Sequence, residues 1–359
     1  MFRFERAPAR LWQRALVPVL AILVTFGLVS LVILGTGVNA LEVFREILWG
    51  PLTSRNDRLE VLVQATPLLL TGVAVAVAFR GGYYNIGAEG QLYAGALAAA
   101  LVGPRLEGVP AVLGVVVMLV SGFLGGVLWA LTPALLKIRL KVDEVVTTLL
   151  LNSVMLFLVS ALLNGPWRDP VSGWPRSPTI AASAGFPEII PRSRVHLGLL
   201  VALITIGLLG WVLGRTRFGL ELRAVGLGED AARFMGVGVR RVVLTSALIS
   251  GGVAGLAGVG EVAGVHTYLI GELSPGYGYT GIIVATFGGL SALGILVSGL
   301  FLALIDTGTL SASRSLGVPV YLGDVLEATL LLVTLALLVS NRYRVRFVPK
   351  TTRTARRWN

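Results

Sequence analysis

The apolar residues of this chain come in uninterrupted blocks of roughly 20, the length at which an α-helix crosses a hydrocarbon core about 30 Å thick. Ten-residue segments of alternating polarity, the mark of an outer-membrane barrel, are absent. Of 359 residues, 55% are hydrophobic and 14% charged, where soluble domains carry about a quarter charged residues. The expected fold is all-α: a polytopic integral membrane protein forming a single transmembrane domain over residues 1–359.

Ten spans are expected, at roughly 15–35, 61–79, 86–102, 109–136, 145–163, 196–213, 241–260, 279–290, 293–310 and 323–340. The block 279–290 is short for a full crossing, and with its neighbour it suits a broken or re-entrant hairpin around Gly288, Gly289 and Gly294. An even number of spans puts both termini on one side. That side carries 21 of the 30 Lys and Arg, the other nine, so the positive-inside rule makes both termini cytoplasmic. Arg3, Arg6, Arg10 and Arg14 ahead of the first block, with Val38-Asn39-Ala40 after it, resemble a signal peptide. The block is too long for one, and an uncleaved first helix is expected. The basic tail 342–359 suits anionic lipid rather than nucleic acid.

Several chemistries are excluded. There is no Cys, and His196 and His266 stand too far apart to pair on a metal. None of the three lysines, Lys137, Lys141 and Lys350, ends a phosphate-binding Gly-rich loop, so ATP hydrolysis belongs to another chain. Gly226-Leu227-Gly228-Glu229-Asp230-Ala231 fits G-x-G-x-x-A, but in a charged loop without the strand that gives the pattern meaning. No catalytic set is apparent, and neither metal nor cofactor is expected on this chain.

Three stretches stand out. Phe79-Arg80-Gly81-Gly82-Tyr83-Tyr84-Asn85-Ile86-Gly87-Ala88-Glu89-Gly90-Gln91 carries a carboxylate and two amides into an apolar span. Asn85, Glu89 and Tyr93 are spaced to share a helix face. A buried Glu is costly in a membrane and faces a partner or a cavity. Asn85, Glu89 and Gln91 thus either order or contact the solute path, or hold helices together. In Asp143-Glu144-Val145-Val146-Thr147-Thr148-Leu149-Leu150-Leu151-Asn152, the two carboxylates suit a helix amino end, and Thr148 and Asn152 share a face with the same two readings. The loop 214–241 holds Arg223 and the run Asp230-Ala231-Ala232-Arg233-Phe234-Met235-Gly236. It reads as a short helix exposing Ala231, Ala232, Phe234 and Met235 for docking into a partner's groove, stopped at Gly236. Small residues such as Gly122 with Gly126 and Gly251 with Gly255 suit internal helix packing.

These stretches, with Ser250-Gly251-Gly252-Val253-Ala254-Gly255-Leu256-Ala257-Gly258, resemble the permeases of ABC importers for simple sugars, branched-chain amino acids and nucleosides, in order from about residue 60 to 340. The F-R-x-G-x-x-N-I-G-x-E-G-Q pattern is similar to the nucleoside branch served by basic-membrane-lipoprotein-type binding proteins. The resemblance implies that Arg223, Asp230, Ala231, Ala232, Phe234, Met235 and Gly236 belong to the helix that couples to the ATPase, although Gly228-Glu229 stands where family members often have Asn-Pro. It further implies a second homologous permease chain, a cytoplasmic ATPase, a substrate-binding lipoprotein and residence in the bacterial inner membrane. Asn85, Glu89, Gln91 and Asn152 are the candidate path residues. The rival readings are an ion-coupled transporter using Glu89, Asp306, Asp324 and Glu327, and a membrane-embedded enzyme.

Overall fold

The computed structural model describes residues 2–6, 11–169 and 172–347. Among the described residues are thirteen α-helices: α1 Leu11–Leu34, α2 Ala40–Thr53, α3 Arg55–Arg80, α4 Ala88–Val102, α5 Ala111–Leu135, α6 Glu144–Asn164, α7 Gly198–Arg215, α8 Arg217–Leu227, α9 Glu229–Phe234, α10 Val239–Gly260, α11 Tyr277–Phe287, α12 Ala292–Leu316 and α13 Leu322–Arg342. Eight helical segments, those of α1, α3, α5, α6, α7, α10, α12 and α13, are long and apolar enough to cross a membrane. The remaining two expected spans are α4 and α11, helices of 15 and 11 residues. At 1.5 Å per residue they reach only about 22 and 16 Å.

Two compact units are distinguished, one of residues 1–37 with 324–359 and one of residues 38–323. The first holds α1, most of α13 and an antiparallel strand pair, β1 Phe2–Arg6 and β2 Tyr343–Phe347, with Phe2 opposite Phe347 and Arg6 opposite Tyr343. Apart from this terminal pair the regular structure of the described residues is helical, as expected. Part of the expected basic tail 342–359 is a strand, and residues 348–359 lie outside the described residues.

In the second unit, the apolar windows of α3 and α10 are 89% and 72% buried, against 22% for α5, α6 and α7. Thus α3 and α10 form the interior, while the outer helices turn apolar sides to lipid. Lipid tails are as apolar as a leucine core, so close backbone packing must hold the helices together. The glycines supply it between α5 and α10. A Cβ on Gly126 would lie 2.0 Å from the Gly251 carbonyl oxygen, and one on Gly255 2.2 Å from the Gly122 oxygen. The two small-residue pairs of the sequence therefore pack against each other within one chain.

Two segments expected as loops are not simple loops. Within 36–60 lies α2, capped by the Asn39 side chain, which accepts from Leu41 N at 3.0 Å, and burying Val43, Phe44 and Ile47. Within 261–278, α10 continues as a π-helical turn, Glu261–His266, before irregular chain leads to α11.

Gly126→Ala should lower the melting temperature of the detergent-solubilised chain, because overpacking a tight interior costs about 1–3 kcal/mol. Gly207→Ala, on α7 with open space around the added carbon, should leave it unchanged or raise it, since Ala is the better helix former by about 1 kcal/mol. A fluorescence-detected melt of the two variants checks both.

Candidate functional site

The chain leaves α3 through Gly81 and through Gly82, whose φ of +74° suits glycine. It then runs unwound to Gly87, and α4 begins at Ala88. Asn85 therefore precedes the helix, which corrects the expectation that it shares a helical face with Glu89. Its amide is spent: Nδ2 donates to Gln91 Oε1 and to Ser250 Oγ, each at 2.8 Å, and Oδ1 accepts from Gly87 N at 2.9 Å and Gln91 Nε2 at 3.1 Å. A primary amide has two N–H donors and two lone pairs, so Asn85 is saturated. The contact with Ser250 ties the unwound segment to α10.

Thr148 and Asn152 do share a face of α6, and that face grips the same segment. Thr148 Oγ1 accepts from Ile86 N at 3.2 Å. Asn152 Oδ1 accepts from Gly90 N at 2.8 Å, and its Nδ2 donates to Ile86 O at 2.9 Å and Tyr279 Oη at 3.2 Å. Asp143 caps α6, accepting from Val145 N at 2.8 Å. The next residue, Glu144, pairs with Lys137 Nζ at 2.5 Å.

Glu89 sits where two short helices begin. Its carboxylate accepts from Gly278 N at 2.7 Å and from the Ser274 side chain. A Cβ on Gly278 would lie 2.1 Å from Glu89 N, so the first turns of α4 and α11 abut. From this junction α11 follows α3 to a turn whose Leu290 carbonyl accepts from Arg80 Nε at 3.0 Å. The other helix, α4, runs the opposite way along α10, with Gly95 against Gly255. Two helix amino ends, each with N–H groups its own helix cannot pair and a positive dipole end, thus converge, and the Glu89 carboxyl supplies an acceptor between them. Tyr93, one turn further, accepts from Ser274 N at 3.1 Å and donates to Gly271 O at 2.9 Å.

Asn85, Glu89, Gln91 and Asn152 are all buried, and the structure gathers them around the α3–α4 connection. Sequence reading did not find Ser250, Ser274 and Gly278 as their partners. The available signal was Ser274-Pro275-Gly276-Tyr277-Gly278, a turn-forming run ahead of a short apolar block.

On the side where α3 ends, α8 and α9 form an elbow. Leu222, Val225 and Ala232 are buried with Ala78, Tyr83 and Val243. Burial of Ala232 corrects the expectation that it is exposed: it faces inward, opposite to its neighbours. Exposed are Leu227, Phe234 and Met235, at 91%, 95% and 67%, with Ala231, Asp230 and Arg223 also at the surface. The short helix α9 starts at Glu229 and is closed by Gly236 at φ +82°, Val237 N donating to Ala232 O at 3.0 Å. The elbow bears directly on the α3–α4 connection: a Cβ on Gly226 would lie 2.3 Å from the Arg80 carbonyl oxygen, and Gly81 faces the Leu222 side chain.

Residues 58–335 match the family model described as the branched-chain amino acid transport system, permease component. The chain is 34% identical over 344 residues to a glucose ABC transporter permease of Haloferax volcanii, covering 93% of this chain and 90% of that protein. It is also 34% identical over 337 residues to a guanosine ABC transporter permease of Bacillus subtilis, covering 93% and 95%. A second guanosine permease of the same Bacillus is 28% identical over 254 residues, covering 67% of this chain and 77% of that protein. This chain belongs to that permease family, as the membrane-spanning, non-catalytic subunit of an ABC importer.

Proposed function

We propose that this chain is the permease of a nucleoside importer, driven by a separate ATPase that docks on the α8–α9 elbow. The observation that carries the coupling is contact: the elbow exposes Leu227, Phe234 and Met235 on one side and packs Gly226 on the Arg80 carbonyl on the other. Movement of α9 would be handed to the α3–α4 connection, and through the Asn85–Ser250 bond to α10. Asn85, Glu89, Gln91 and Asn152 act in this reading by ordering the wall of the path, since their hydrogen-bonding groups are engaged within the chain.

Guanosine, in the name of a relative matched over nearly its whole length, supports nucleosides as the solute. The equal identity of the Haloferax protein named for glucose favours a sugar as the second reading. Two different Bacillus permeases named for guanosine both resemble this chain, which supports a heterodimer with a second homologous permease. ATP hydrolysis on the partner, a lipoprotein that delivers solute from outside, termini in the cytoplasm and residence in a bacterial inner membrane complete the proposal.

Uptake of radiolabelled guanosine, cytidine, ribose and leucine, with and without this chain, tests the solute. Loss of nucleoside uptake alone is expected; loss of ribose or leucine uptake instead would replace the solute and keep the importer. Phe234→Ser with Met235→Ser should cut uptake at least tenfold and release the ATPase on co-purification, with membrane insertion unchanged. Normal uptake in that double variant would remove the coupling role. Glu89→Gln keeps an acceptor for Gly278 N and should retain uptake within a few fold, whereas Glu89→Leu leaves buried N–H groups unpaired, at about 1–3 kcal/mol each, and should lose it. Loss of uptake in Glu89→Gln with the folded chain intact would return Glu89 to a role needing its charge.

A further inference from the structure

The two ends of the chain, which take no part in the path or the elbow, meet in the antiparallel pair of β1 and β2. Directly opposed residues of such a pair share a face, and successive residues alternate between faces. The register therefore sorts the two strands by chemistry. One face carries Phe2 with Phe347, Phe4 with Val345 and Arg6 with Tyr343; the other carries Arg3 with Arg346 and Glu5 with Arg344. The first is apolar and aromatic except for Arg6, at the base where the ribbon meets the helices. The second is basic, and it sets Arg3 and Arg346 directly opposite each other.

A two-stranded pair is marginally stable alone in water, and its apolar face needs cover. Like charges directly opposed across a ladder weaken it further, which an anion at the Arg3–Arg346 pair would relieve. The sequence offers no spare carboxylate here: Glu5, already opposite Arg344, is the only acidic residue before Glu42 or after Glu327. A membrane surface, by contrast, is close. The same compact unit holds α1 and most of α13, both long and apolar enough to cross a bilayer. Strand β2 begins at Tyr343, four residues past Val339, where the apolar span of α13 ends, or about 6 Å of helical rise. A nucleic acid or a soluble anion would take the basic face and leave the aromatic one uncovered. A lipid surface serves both faces, because an amphipathic element settles its apolar side at the headgroup–acyl boundary while arginine is long enough to reach lipid phosphates from the other side.

We propose that β1 and β2 form an amphipathic ribbon that lies flat on the membrane and binds anionic phospholipid, whose phosphate groups meet the Arg3–Arg346 pair. Five residues per strand make the ribbon about 17 Å long. Standing upright, it would carry Arg3 and Arg346, near its tip, beyond the Debye length of about 8 Å. Lying flat, it keeps them within it and ties both ends of the chain to one leaflet. The ribbon's role is independent of the solute and of the elbow.

The chain has no Cys, so Val345→Cys takes a single environment-sensitive dye on the apolar face. The full labelled chain is placed in nanodiscs of phosphatidylcholine alone, or of phosphatidylcholine and phosphatidylglycerol at three to one. Two quenchers report on the dye: a nitroxide carried by the lipid near its headgroup, and acrylamide in the water. With phosphatidylglycerol present, acrylamide quenching should fall at least threefold and lipid-borne quenching should rise by a similar factor. Arg3→Gln with Arg346→Gln should abolish that difference, and Arg3→Lys with Arg346→Lys should keep it. A fluorescence-detected melt identifies a double variant that fails to fold, in which case Arg346→Gln alone decides by weakening the difference or leaving it intact. Inorganic phosphate added to phosphatidylcholine discs should change neither quenching. If it reproduces the effect of phosphatidylglycerol, the ligand is a soluble anion and the proposal fails. Shielding from both quenchers would mean that protein covers the face, and equal quenching in the two lipids would mean that headgroup charge plays no part; either result overturns the proposal and leaves the importer in place.

Discussion

A backbone that breaks inside lipid must satisfy its own polar groups, because no water is there to do it. This fold breaks at one place from two directions, and Glu89 resolves both. The amino ends of α4 and α11 abut, each with N–H groups that its own helix cannot pair, and the carboxylate of one answers the amide of the other across 2.7 Å. An ionised carboxylate would be expensive in such a place without positive surroundings. Here the surroundings are two converging helix dipoles. The two short helices, the unwound segment ahead of α4 and the irregular chain ahead of α11 are consistent with one another only around this contact.

The remaining polar contacts extend that junction outward. Asn85 fastens the unwound segment to Ser250 on α10, and Asn152 fastens it to α6. Arg80 fastens the far end of α11 to α3. Each uses side-chain groups to pair backbone or amide groups that would otherwise be orphaned. Among the described residues, the elbow of α8 and α9 adds no hydrogen bond to this set. It presses on it, glycine against carbonyl, at van der Waals range.

Much of this was legible in the sequence, and the exceptions have physical causes. The helices α3, α5, α6, α10 and α12 read directly, because an apolar run long enough to cross a bilayer has few other uses. Helix α2 did not, because Glu42, Arg45 and Glu46 interrupt its apolar residues within one short segment. Asn85 was placed on a helix because a spacing of four says nothing of where the helix begins, and α4 begins after it, at Ala88. Its polar neighbours were recognised as a group, but the groups on other segments that pair with this connection lie 62 to 189 residues away in the chain. Ala232 illustrates the limit of composition: alanine suits either face of a helix, and only the elbow's packing turned it inward.

The shortness of α4 and α11 has a consequence for the membrane around them. A helix of 11 or 15 residues in contact with lipid would force the bilayer to thin or the helix to recruit cover. Most of α4 is buried by other helices, as are Tyr277, Gly278, Gly281, Ile283, Val284 and Ala285 of α11. Lipid therefore scarcely senses the broken layer. The acyl chains meet α5, α6 and α7, and bilayer thickness acts on that jacket while the machinery inside it keeps its own length.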